Sequence, residues 1–283
     1  MKKRKNPPSI LYLAYINYCK LKGPFHIKPD FLIIGGEKCG TTSLYEYLIQ
    51  HPNILPAKGK EVYFFDKKFH NGFSWYRTFF PSILRKKYYN FVLKKKIITG
   101  EATPRYLNHP QAPKRISELL PDVKLIVLLR NPVDRAYSHY QMEFSNGREK
   151  LSFEKAIENE QGRIGKEFKK MEVDGSYYSP SYYWFSHLEA GIYINQLKRW
   201  MEFFPKEQFL IIQSEELLEN TTSTYNKILK FLNLSAYQLT NYKKYKSRNY
   251  EKLDAALRKK LTDFFQSHNE KLYNFLGMDF GWK

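Results

Sequence analysis

Hydrophobic residues recur along the chain in two rhythms. Short, mostly apolar runs at 30–35, 123–129 and 208–213 have the length of strands covered on both faces. Residues 96–100 form a shorter run of the same kind. Between and after these runs the apolar positions fall at helical spacing, over 41–50, 110–120, 132–144, 186–204, 221–232 and 250–276. Strands alternating with helices predict an α/β fold: a central parallel sheet with helices on both faces and its ligand site at the carboxyl ends of the strands. Residues 28–283 read as a single domain and residues 1–27 as a basic, loosely attached arm. The stretch 162–183, rich in Gly, Ser and Tyr, reads as a mobile insertion or lid. Trp200 falls on the buried stripe of its helix. There are no internal repeats.

Charge changes this picture more than composition does. The formal net charge of +19 predicts a field that attracts anions, whether nucleic acid, a phosphorylated donor, an acidic glycan or an anionic membrane. The basic runs KKRK, RKK and KKK are either solvated faces or a means of steering such a ligand. At 42% hydrophobic and 27% charged residues the chain fits a soluble globular protein. Its two cysteines, Cys19 and Cys39, make neither a disulfide framework nor a C-x-x-C metal site, which points to a reducing, cytoplasmic setting. The basic start and short apolar run at the N-terminus lack a cleavage signal, and no apolar stretch approaches about 20 residues, so neither a signal peptide nor a transmembrane segment is expected.

Candidate chemistry begins at GGEKCGTTSL, residues 35–44, between the first strand and the first helix of the domain. Gly35, Gly36 and Gly40 permit close approach of backbone to an anion. The helix start offers free N–H groups, Thr41, Thr42 and Ser43 offer hydroxyls, and Lys38 offers a charge. This is a phosphate cradle without the Gly-Lys-Ser/Thr order of a nucleotide triphosphate loop, so Mg²⁺ has no obvious holder. The alternative is a plain Gly-rich turn. A second anion site is expected after the strand 123–129, where Arg130 ends the strand and Ser138 lies on the helix begun by Pro132. The alternative there is an ion pair between Arg130 and Asp134.

Together the two loops resemble the nucleotide-binding motifs of sulfotransferases that use 3′-phosphoadenosine 5′-phosphosulfate. The resemblance extends to the heparan-sulfate branch through GKEVYFFD (59–66), GIYINQLKRWMEFFPKEQFLIIQSEEL (191–217) and NEKLYNFLGMDFGWK (269–283). It implies a P-loop-like sheet and the transfer of a sulfuryl group to a hydroxyl or amine, with adenosine 3′,5′-bisphosphate as product and no metal. It implies a carbohydrate as acceptor, with a lipid, polyketide or other small molecule as rival, and no nucleic-acid partner. It implies Glu61 as general base, and burial among Val62, Phe64 and Phe65 is expected to raise its pKa. Lys38 would assist the leaving phosphate. Lys38, Cys39, Gly40, Thr41, Thr42 and Ser43 would hold the phosphosulfate, and Arg130 and Ser138 the 3′-phosphate. KYKSRNYEKLD (244–254) would add Lys246 and Arg248.

The sequence departs from that branch on the acceptor side. Tyr63 stands where the branch often has His, and Ala102 stands where it typically has Lys. Arg105, three positions on, is a candidate substitute charge, and Asp66 a candidate for orienting the acceptor. His70 and His139 are weaker candidates for a base, His139 being expected to pack. The aromatic run 176–185 either stacks sugar rings or packs within a long crossover. A kinase or NTPase would need Mg²⁺ and a different loop order, and a non-catalytic polyanion binder would have no use for Glu61.

Overall fold

The computed structural model describes residues 9–242 and 251–282. Five strands form one parallel sheet: β1 (Phe31–Gly35), β2 (Ile54–Pro56), β3 (Ile98–Ala102), β4 (Lys124–Leu129) and β5 (Phe209–Gln213), in the order β2-β3-β1-β4-β5. Phe31 lies opposite Gly100 on one side of β1 and Lys124 on the other, and the β1–β4 register shifts by one residue between Ile33 and Gly35, where the chain leaves for the anion loop. Strand residues alternate between two cores. Leu32, Ile34, Leu125, Val127 and Leu129 face the larger one; Phe31, Ile33, Ile126, Leu128 and Ile212 face the smaller. Both faces are covered, which is why these strands read as mostly apolar runs. β2, three residues long, is too short to carry a pattern.

Helices before and between the first strands are α1 (Ile10–Lys22), α2 (Thr41–Leu48), α3 (Phe73–Arg77), α4 (Ile83–Lys87), α5 (Ala112–Leu119) and α6 (Pro132–Ser145). The crossover from β4 to β5 continues through α7 (Phe153–Glu158), α8 (Glu160–Ile164), α9 (Glu167–Val173), α10 (Pro180–Phe185) and α11 (Tyr193–Met201). The chain closes with α12 (Ser214–Glu219), α13 (Thr221–Phe231) and α14 (Ala255–Leu276). Asp254 caps α14, accepting from the Leu257 N–H at 2.9 Å, and Gly277 ends it with a left-handed φ of 67°.

Three expectations change. The arm is a helix docked over residues 10–22: Ile16 and Cys19 are buried, and the Tyr12 hydroxyl donates to Asn71 Oδ1 at 2.7 Å. The expected lid is packed, because Ile164, Met171, Tyr182 and Tyr183 form their own small core and Arg115 donates to the Gly175 carbonyl. The helix expected over 186–204 is shorter, Tyr193–Met201: a 3-10 turn spans Glu189–Gly191, and Ile192, with ψ 69°, is out of the helical conformation. Trp200 is fully buried, as its stripe requires.

Candidate functional site

β1 lies between β3 and β4, so the loops leaving these three strands meet at one edge of the sheet. After Gly35 the chain turns tightly. The Gly36 N–H donates to the Leu128 carbonyl, and the Cys39 N–H to the Gly36 carbonyl at 3.1 Å. Gly40 has φ 90°, a conformation that favours glycine. No side-chain hydrogen bond is made by the residue at the N-cap of α2, Gly40, and a helix start attracts anions through its N–H groups and dipole. Thr41 and Ser43 are buried there, and Thr42 is half-buried. Cys39 points its thiol inward, 3.8 Å from the Tyr193 hydroxyl, and burial pushes the thiol up to about 11. Any contact it makes with a ligand is therefore through backbone.

β4 delivers Arg130 to the same edge. Its guanidinium donates to the Lys38 carbonyl at 3.3 Å, and the Tyr193 hydroxyl donates to its backbone oxygen at 2.9 Å. Asn131 caps α6 by accepting from Val133 at 3.0 Å. The pairing of Arg130 with Asp134 does not form: Asp134 binds Arg258 of α14 instead, at 2.5 Å. Ser138 is buried on α6. Lys246 and Arg248 lie outside the described residues.

The third wall is the segment 59–66. Val62, Phe64 and Phe65 are buried in the larger core, and the backbone is held from beneath by β3. Buried Glu101 accepts from the Tyr106 hydroxyl at 2.8 Å, Tyr76 at 3.1 Å, Thr103 at 2.5 Å and the Val62 N–H at 3.4 Å. Tyr106 also accepts from the Phe64 N–H at 2.9 Å. Burial pushes the Glu101 carboxyl up to about 7, opposed by these donors. Glu61 is half-buried, its side chain 26% exposed. The Lys60 ammonium lies 2.8 Å from Glu61 Oε1, and the Tyr63 hydroxyl donates to Oε2. Burial and the Glu61 carboxylate push the Tyr63 hydroxyl up, so it remains a donor. Lys60 also donates to Thr42 Oγ1 at 2.6 Å, tying this wall to the anion loop.

Arg105 does point into the site. It sits 3.4 Å from Glu37 Oε1, donates to the Tyr178 hydroxyl at 3.3 Å and lies over the rings of Tyr183 and Tyr63 at 5.0 and 6.0 Å. Tyr178 and Tyr183 come from the 176–185 run, so that run is packed and lines the site as well. Asp66 is buried with neither oxygen hydrogen-bonded, and burial pushes it up to about 6. Ala102 is wholly buried. His139 is buried with Nδ1 2.9 Å from His187 Nδ1, and burial holds it well below the usual imidazole range. His70 is exposed on a 3-10 turn at 69–71. Lys60, Glu101 and Glu37 escaped sequence reasoning. Only Glu37, an acid inside an anion loop, left a visible signal.

Among the described residues no group of three or more His, Cys, Asp or Glu side chains is placed to hold a metal ion. The family model described as "Sulfotransferase domain" matches residues 28–283. The chain is 30% identical to human heparan sulfate glucosamine 3-O-sulfotransferase 6, over 90% of this chain and 73% of that protein. It is 30% identical to mouse heparan sulfate glucosamine 3-O-sulfotransferase 3B1, over 90% of this chain and 65% of that protein. The crystal structure of a sulfotransferase from Alicyclobacillus acidocaldarius superposes with a TM-score of 0.67 at 29% identity, covering 89% of this chain and 97% of that one.

Proposed function

Because the chain belongs to the sulfotransferase family, we propose that it carries a sulfuryl group from 3′-phosphoadenosine 5′-phosphosulfate to a hydroxyl or amine of a carbohydrate. The observation that carries this reading is the position of Lys60. Its ammonium spans Thr42 of the anion loop, at 2.6 Å, and Glu61, at 2.8 Å. A carboxylate able to take a proton is thereby held one side chain away from a cradle able to hold the donor.

In this reading the anion loop and the start of α2 bind the phosphosulfate. Arg130 and Ser138 bind the 3′-phosphate, and Lys246 and Arg248 are assigned to the same nucleotide. Glu61 takes the acceptor proton, the acceptor oxygen or nitrogen bonds to sulfur, and the bond from sulfur to the bridging oxygen breaks. The electron pair leaves on adenosine 3′,5′-bisphosphate, where Lys38 and the helix N-terminus meet the developing charge. The protein positions and neutralises, as in phosphoryl transfer. A carbohydrate acceptor is supported by the relatives named for heparan sulfate. Arg105 offers a cation and Tyr63 and Tyr178 offer ring faces for an acidic sugar.

The test is calorimetric titration, without metal, of adenosine 3′,5′-bisphosphate beside AMP and ATP. Transfer of labelled sulfuryl groups to heparan fragments is then followed. Selective binding of the bisphosphate and labelling of the glycan are expected. Preference for ATP with Mg²⁺ overturns the donor, and bisphosphate binding with labelling only of small hydrophobic acceptors overturns the carbohydrate.

A further inference from the structure

Two of the three Lys/Arg triplets within the described residues lie far from the candidate site; the third, 258–260, is on α14, where Arg258 pairs with Asp134 of α6. Residues 85–87 and 94–96 precede β3, and Lys86 lies 3.8 Å from Asp30 just before β1. Both runs therefore sit where the strands begin, about 16 Å along a five-residue strand from the edge that holds the anion loop. They are poorly placed to steer a donor.

What they flank is apolar and uncovered. α4 leads into a π-helical turn, Tyr88–Val92, and there Leu84 is 78%, Phe91 74% and Val92 62% exposed. Every residue of 91–96 is exposed. An antiparallel bridge between His26 and Ser82 ties the cap of α4 to the chain just after the 3-10 turn 23–25 that follows α1. Phe25, next to the bridge, is 70% exposed, and Leu21, Ile10 and Leu11 of α1 are exposed as well. Residues 1–29 and 67–100 together hold sixteen Lys and Arg and not one Asp or Glu.

We propose that this surface, Leu84 to Lys96 with the outer side of α1, is a docking face for an anionic lipid bilayer. Bulky apolar tips ringed by cations match the chemistry of an interface in which side chains enter the acyl boundary and ammonium groups meet phosphates. A second copy of the chain would set like charges against each other. A soluble polyanion would pair with the lysines but leave Phe91, Val92 and Leu84 in water. The proposal is independent of the donor and acceptor assigned above.

The test is flotation of the full chain with vesicles of phosphatidylcholine alone and of phosphatidylcholine with one quarter phosphatidylglycerol. Binding to the second and not the first is expected. Replacing Lys94, Lys95 and Lys96 by Gln lowers partitioning about 100-fold. The pair Phe91→Ser and Val92→Ser lowers it at least about tenfold, with adenosine 3′,5′-bisphosphate or heparan-fragment binding as a check that the fold persists. Phe91→Trp, read by quenching from brominated lipid, reports insertion in a folded chain. Absence of flotation, no quenching of the inserted tryptophan, or serine variants that bind vesicles as the parent does each overturn the proposal. So does sedimentation showing a dimer that the serine pair dissociates.

Discussion

At the scale of single residues, Glu61, Lys60, Arg130 and Asp66 each carry a separable consequence. Glu61→Gln keeps the geometry but cannot take a proton, so turnover is expected to fall by about 10²–10⁴ with nucleotide binding retained; calorimetry beside a transfer assay checks both. Lys60 bridges Thr42 of the anion loop and Glu61, so Lys60→Ala loosens the placement of the carboxylate against the cradle and should lower kcat more than it raises KM. Arg130→Ala should weaken adenosine 3′,5′-bisphosphate by about 10- to 100-fold and leave AMP nearly unchanged. Burial pushes the folded Asp66 carboxyl up to about 6, against about 3.9 for the unfolded chain. The native state therefore keeps a proton that the unfolded chain has released, and this group costs stability as pH rises from about 4 to about 6. Asp66→Asn should flatten the urea-denaturation stability profile over that interval; an unchanged slope would remove the assignment.

At the scale of elements, the site is a set of loop ends held by buried polar groups. The Glu101–Tyr106–Tyr76 cluster fixes the backbone beneath Glu61, and Tyr106→Phe leaves the Phe64 N–H without an acceptor inside the core. A loss of about 1–3 kcal/mol in denaturant unfolding is expected, with slower turnover. Gly40→Ala forces a side chain to φ 90° and should weaken the bisphosphate through the start of α2. The same elements show what a sequence makes legible. β1, β4 and β5 announced themselves through apolar runs, and the anion loop through its glycines and hydroxyls. Glu101 did not, because a carboxylate in a strand looks like surface until the tyrosines 5 and 25 positions away fold onto it. α3, α4 and α7–α9 are one or two turns long, too short for periodicity to register. Lys60 gave no signal in the sequence, since nothing local reveals that Thr42 lies within reach of its ammonium.

At the scale of the molecule, sequence and structure agree on one parallel sheet with both faces covered. They part over the charge. Read from composition, +19 suggested a field that attracts anions of any kind; in space, the runs 85–87 and 94–96 gather where the strands begin, while 258–260 lies on α14 with Arg258 paired to Asp134. All five strands run in one sense, so the molecule has two unlike poles, one lined by loops that leave strands and one by chain that enters them. On a polyanionic support the protein would therefore orient itself. Captured by Lys94–Lys96, it would present the Glu61 pole outward, and turnover per immobilised molecule should approach that in free solution. Random crosslinking through all lysines would also consume Lys38 and Lys60, so comparing the two preparations measures how far the fold has separated attachment from reaction.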